Sequence, residues 1–398
     1  FAISPGLEIT NQIDLDSGTG TFTVSSGTAT LSGLIGGAGI GNKQGSGTLA
    51  LTGSNTYSAL SITQGELLAG SAGALGFGTA TLSDGTTLGL LESLTIANNL
   101  AIDSGTGNFN IGSGTSTLSG DISGSGQFNK AGAGSLDLTG ANSFGGLIVA
   151  AGELFAGNAN ALGSGTATVL DGATLGLQND IIVANEIVFD SGEGLVSVES
   201  GTSTLSGTLS SSGYARKVGS GTLALTGVNT VEGVNIAAGE LFAGNADALG
   251  SGTITVLNGA TLGLQGDITV ANAIVFDSGS ESLSVLTGTS TLSGEISGPG
   301  YATKRGAGTL SLIGDNTFEG INIEEGELFA GNADALGSGT TTISGSSTLG
   351  LQGDITVANE IILDSGNERL SVESGTSTLS GVISGPGHAT KVGAGTLA

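Results

Sequence analysis

Along the whole chain, apolar residues alternate with small or polar ones in short runs. In Thr222-Leu223-Ala224-Leu225-Thr226 the leucines are separated by Ala, and Ile254 and Val256, Ile268 and Val270, and Ile274 and Phe276 repeat the pattern. A period of two, broken by Gly, Asn and Asp, predicts half-buried strands of about five residues joined by tight turns. Helical spacing does not persist. The best candidate, the Gly-Asn-Ala-Asp-Ala-Leu-Gly-Ser-Gly segment around Leu249, is too short and too rich in glycine to nucleate a helix.

The strands belong to a longer period. Lys43, Lys130, Lys217, Lys304 and Lys391 open related segments 87 residues apart. The same spacing of 87 separates Glu66, Glu153, Glu240 and Glu327, then Leu88, Leu175, Leu262 and Leu349, and then Asp16, Asp103, Asp190, Asp277 and Asp364. Complete copies run over 43–129, 130–216, 217–303 and 304–390, with partial copies at 1–42 and 391–398, so both ends fall inside a repeat. No separate domain interrupts this array, and one solenoid over 1–398 is expected. Within a copy, the landmarks Lys217, Glu240 and Leu262 follow one another at nearly even intervals. That interval, roughly 20–23 residues, suits one turn of three short strands and three corners. An antiparallel sheet would need hairpin turns and leave one face wet, whereas a parallel coil closes its sheets around one dry interior. The expected fold is all-β, a right-handed parallel β-helix (solenoid) with about four coils per copy. Asn55, Asn142, Asn229 and Asn316, and the series Asn11, Asn98, Asn185, Asn272 and Asn359, are expected at corners, where Asn can bond its own main chain.

Composition narrows the class of function. The 76 glycines do not fall at every third place and Pro occurs three times, which excludes collagen. At 38% hydrophobic and 11% charged, the chain is not of the disordered type. Eight basic residues against 34 acidic ones give a net charge of −26, which argues against nucleic acid and against an anionic membrane surface as partners. Absence of Cys excludes disulfides and thiolate metal sites. No apolar run is long enough to span a bilayer as a helix.

Candidate chemistry is sparse. Asp277-Ser278-Gly279 echoes the nucleophile segment of a serine protease, but His388 is the only histidine and the tripeptide recurs in every copy, so a turn is the better reading. Asp247 and Asp334 could bind calcium, yet Gly73 and Asn160 stand at the same place in earlier copies. Neither a metal nor a cofactor is expected. Phe155, Phe242 and Phe329 share a position with Leu68 and are expected to fill the core. The pairs Lys43–Glu66, Lys130–Glu153, Lys217–Glu240 and Lys304–Glu327 keep one constant offset. If that offset is one coil, each pair forms a salt bridge between adjacent rungs and helps fix register.

From Thr303 to Gly339 the chain resembles the autotransporter-associated β-strand repeat of bacterial passenger domains. Lys304, Gly306, Gly308, Thr309, Leu310, Gly314, Asn316, Thr317 and Phe318 match its pattern in order, followed by Gly326, Leu328, Ala335, Leu336 and Gly337. The match recurs from Lys43, Lys130 and Lys217 with drift, Val231 replacing the aromatic residue and Ser135 the Thr. The resemblance implies a right-handed β-helix exported by type V secretion, no reaction, and a translocator barrel outside this segment. The expected role is that of a non-catalytic stalk or scaffold on the bacterial cell surface. Alternatives are a face that binds a glycan or host protein, and a subunit of an extracellular filament assembled by self-association.

Overall fold

Alternating strands this short can bury their apolar side only by stacking, and they do so in parallel coils. The computed structural model describes residues 1–398 except Glu92, Ser191 and Ser278. The chain falls into two compact units, Phe1–Ser197 and Val198–Ala398. Each is a parallel β-solenoid whose coils have three sides.

In the first unit one face is a column of strands that includes Thr28–Leu31, Thr48–Leu51, Glu66–Ala69, Thr87–Leu90, Thr106–Ile111, Gln127–Ala131 and Gly146–Val149, each paired in parallel with the next. A second face stacks Thr19–Thr23, Ile40–Gln44, Ala59–Ile62, Ala80–Leu82 and Leu100–Ile102. On the third face Thr95–Ile96, Thr115–Leu118, Ser135–Leu138, Glu153–Ala156 and Thr174–Leu177 follow one another. The second unit repeats this construction. Its long strand Ile361–Val372 bends round a corner and pairs with both Thr341–Gly345 and Thr348–Leu351. The interior is continuous and apolar within each unit: Leu49, Leu67, Leu88 and Phe109 are all fully buried and occupy one line of rungs. Phe109, Phe128 and Phe144 stack at 3.9 and 5.2 Å between ring centres.

The rung length fixes how the copies relate. Thr21 pairs with Asn42, Asn42 with Ser61, Ser61 with Thr81, Thr81 with Ala101 and Ala101 with Ser123, so five rungs carry the chain from position 21 to position 123. A coil therefore takes roughly 20 residues, at the short end of what solenoid repeats use. The expected four coils per copy is the right whole number, but part of a turn, one face of the coil, is left over. The remainder is visible in the pairing. Gly146–Val149 is the counterpart of Ala59–Ile62 one period later, yet it stacks in the column of Glu66–Ala69. In the second unit Gly320–Ile323, counterpart of Gly233–Ile236, stacks through Tyr301–Arg305, Ser280–Val285 and Thr261–Leu264 onto Glu240–Ala243. Within each unit, then, a copy presents its motif one face further round the coil than the copy before.

Candidate functional site

The residues singled out by the period assemble into a polar node that recurs once per copy. Its centre is the lysine. In Ile40–Gln44 the pleat turns Gly41 and Lys43 inward, and the Lys43 stem lies between the fully buried Phe22 and Ile62 of the neighbouring rungs. Lys43, Lys130 and Lys304 have no exposed surface and Lys217 has 1%. Such a stem packs as a hydrocarbon, but its ammonium needs acceptors.

Main-chain carbonyls of two successive corners supply them. The Lys43 Nζ donates to Gly45 O at 2.6 Å and to Gln64 O, one coil on, at 2.8 Å. Lys130 donates to Gly132 O and Ala151 O at 2.8 and 2.7 Å. Lys217 donates to Val218 O, Gly219 O and Ala238 O, and Lys304 to Arg305 O, Gly306 O and Glu325 O, all between 2.7 and 3.1 Å. Desolvation pushes each of the four ammonium groups down to about 8, against the opposing pull of nearby carboxylates, Glu66, Glu153, Glu240 and Glu327 among them.

The expected Lys–Glu pairing thus takes a different form. The lysine faces inward while its glutamate faces outward from the strand that follows the lysine's rung partner, and the two interact through charge without sharing a hydrogen bond. The partner of Lys43 on the following rung is Ile62, so the step from Lys43 to Glu66 is a coil plus a corner. Each carboxylate instead accepts from a hydroxyl one rung below: Glu66 from Thr48, Glu153 from Ser135, Glu240 from Thr222 and Glu327 from Thr309, at 2.6–3.1 Å. Arg305 and Glu324 form a directly bonded, exposed ion pair at 3.2 Å.

The asparagines make a separate set of contacts between coils. Asn55, Asn142, Asn229 and Asn316 are buried on the side of the coil where no strand forms. Each Oδ1 accepts from a main-chain N–H of the preceding coil (Ile35, Ile122, Leu209, Ile296), and each Nδ2 donates to a carbonyl of the following coil (Ala74, Ala161, Ala248, Ala335). These amides bond neighbouring coils and not their own main chain, the reverse of the expectation. An interior side without a ladder leaves backbone groups that nothing else satisfies. Asn98, Asn185, Asn272 and Asn359 act likewise, each donating to two glycine carbonyls of the preceding coil.

Phe155, Phe242 and Phe329 also sit otherwise than expected. In Glu240–Ala243 the interior side chains are Leu241 and Ala243, so Phe242 shares the outer face with Glu240. It is nonetheless only 4% exposed, because its ring lies on Gly263 of the next rung, where a Cβ would overlap it. Gly176 and Gly350 make the same seat for Phe155 and Phe329, and the Gln352 side chain reaches over the latter rung to accept from Ser311 Oγ at 3.3 Å.

The remaining candidates do not converge on a reaction centre. Ser278 lies outside the described residues. Asp247 and Asp334 lie in exposed turns whose N–H groups donate to Asn245 and Asn332 Oδ1. Among the described residues no three His, Cys, Asp or Glu side chains are grouped to hold a metal ion. One surface hollow is open and lined by corner residues such as Gly45, Ser46, Gln64 and Asp84.

A model of the passenger-associated transport repeat matches residues 42–69, 128–154, 216–241 and 303–328, the stretch in each copy from the buried lysine to the glutamate strand. An autotransporter adhesin, BmaC of Brucella suis biovar 1 (strain 1330), is 32% identical over 160 residues. That alignment takes in 35% of this chain and 5% of the adhesin, so the chain spans a small part of the length of the curated relative it matches. No solved structure matches it.

Proposed function

We propose, for a chain that carries the passenger-associated transport repeats of autotransporters on a parallel β-solenoid, that it is a non-catalytic stalk or scaffold segment of a surface passenger. One observation carries this reading. What recurs from copy to copy is the set of buried Lys and Asn contacts together with the outward Glu, whereas other outward positions drift and the whole set moves round the coil. The residue one rung below the outer Phe or Leu is Ala50, Asp137, Ala224 or Ser311. Within each unit, equivalent outward residues of successive copies lie on different faces. A binding module that reads a ligand along one face needs a coherent column of like side chains; a spacer needs only that coils keep stacking.

The net charge of −26 suits this role, since it favours solubility and opposes lateral aggregation of an extended surface. Anchoring to the outer membrane falls, in this proposal, to a translocator barrel elsewhere in the full-length protein. The similarity to an adhesin favours a second reading, in which part of the surface contacts a host or neighbouring cell.

Deletion of residues 43–129 from the full-length protein separates the two. A spacer keeps its surface display and its adhesion, because Lys130 and its surroundings take over the place of Lys43 in an equivalent coil. Loss of adhesion with display intact would favour a contact site inside the deleted copy and sink the spacer reading.

A further inference from the structure

The turn at 257–260 differs from its counterparts in other copies in a way that exposes it to chemistry. In the first copy the position is Asp84-Gly85. There the Asp84 carboxylate accepts from the Thr106 N–H at 2.8 Å, and the Gly85 N–H donates to Thr106 O at 2.8 Å, so both side chain and nitrogen are held by the next coil. The second copy has Asp171-Gly172 and the third Asn258-Gly259, where alone in the chain an asparagine is followed by glycine.

Asn258 and Gly259 are exposed and both left-handed, with φ of 43° and 76°; Asp84 and Asp171 do not share that conformation. The turn is closed by Ala260 N–H donating to Leu257 O at 3.0 Å, a bond that uses neither the Gly259 nitrogen nor the Asn258 amide. Among the described residues neither of those groups has a hydrogen-bond partner. A left-handed conformation at a residue with a Cβ carries strain, which a reaction that remodels the turn relieves.

We infer that Asn258 is a site of spontaneous deamidation. The Gly259 main-chain nitrogen gives up its proton and attacks Cγ of Asn258. The N–Cγ bond forms, the Cγ–Nδ2 bond breaks, and ammonia leaves, generating a cyclic imide. Water then opens the imide at one carbonyl to give aspartate or at the other to give isoaspartate, with no oxidant or reductant involved. The nucleophile is tethered beside its electrophile, and Gly259 adds no side chain to block the approach. The aspartate product restores the residue type of the first two copies. The isoaspartate product lengthens the main chain at a corner.

The test is to hold the folded protein at mildly alkaline pH and follow each asparagine by peptide mass mapping, with isoaspartate methyltransferase labelling to separate the two products. Asn179 is the internal reference: it too is left-handed, at φ 64°, but Asp180 follows it and its amide donates to Gly157 O. Conversion at Asn258 is expected at least about ten-fold faster than at Asn179, and Asn258→Gln, which enlarges the ring that must close, should lower it by a similar factor. If Asn258 converts only after the chain is unfolded, or no faster than Asn179 in the folded protein, the inference is overturned.

Discussion

A lysine with no exposed surface, bonded only to carbonyls, is a structural cation. Lys217 closes the Val218, Gly219 and Ala238 carbonyls, so Lys217→Met leaves three part-buried acceptors without this donor. Part of that loss is offset because an ammonium no longer has to be desolvated. The expected net destabilisation is about 2–4 kcal/mol, read as a lower denaturant midpoint. Asn229→Ala breaks bonds to the coil on either side and should cost a similar amount, about 2–4 kcal/mol, by the same measurement. The lysines also set a pH dependence. Their folded-state value near 8 lies below the 10.5 of an unfolded lysine, so between those limits the unfolded chain binds more protons. Stability should therefore rise with pH above 8, by at most ~1.4 kcal/mol per pH unit for each lysine, and the rise should shrink in Lys217→Met. Near pH 10 and above, the rise in the first unit is partly opposed, because burial raises the Tyr57 hydroxyl and the folded state then holds a proton that the unfolded chain has lost. A midpoint that falls steadily from pH 8 to 9.5 would contradict the burial of the ammonium groups.

At the scale of the strand, the outward-facing Phe and the glycine beneath it act as one unit across two rungs. Gly263→Ala places a methyl where the Phe242 ring lies, and an aromatic ring held between rungs has little room to move. The substitution is expected to destabilise by about 1–3 kcal/mol and to push Phe242 outward, visible by NMR as shifted signals of the side chains around its ring. Combining it with Phe242→Ala should remove most of the penalty; additive losses would show that the two residues do not touch. The same pairing explains why a large aromatic is tolerated on the outside of a coil: the glycine turns a flat outer sheet into a shallow socket.

Over a whole unit, the leftover part of a turn decides which surfaces face the same way. Glu66 stacks through Thr87, Asn108 and Asn129 to Ile148, four rungs in all and outward throughout. Spin labels at 66 and 148 should lie about 19 Å apart along one face, from the rung spacing. Labels at 66 and 153, equivalent positions in sequence, sit on different faces and should not give that separation. Four whole coils per copy would produce the opposite pattern. The same remainder limits any extended ligand, since within a unit equivalent outward residues of consecutive copies never line one face.

Much of this was legible from the chain alone. Alternation of apolar residues set the strands, because a pleat admits one side of each strand to the interior. The constant spacing of 87 set the repeat, and the coil length followed closely from the landmarks inside it. What the sequence could not supply was phase. The step from Thr48 to its partner Glu66 is shorter than the step from Ala101 to Ser123, because each corner is closed differently, and only the stacked coils show the sum. Phase then decided the roles of the marked residues. The pleat put Lys43 among Phe22 and Ile62 and sent Glu66 outward, so a pair that looked like a surface bridge became an internal clasp on carbonyls. A residue type names the charge it can carry; which groups it meets is settled by the corner that brings two coils together.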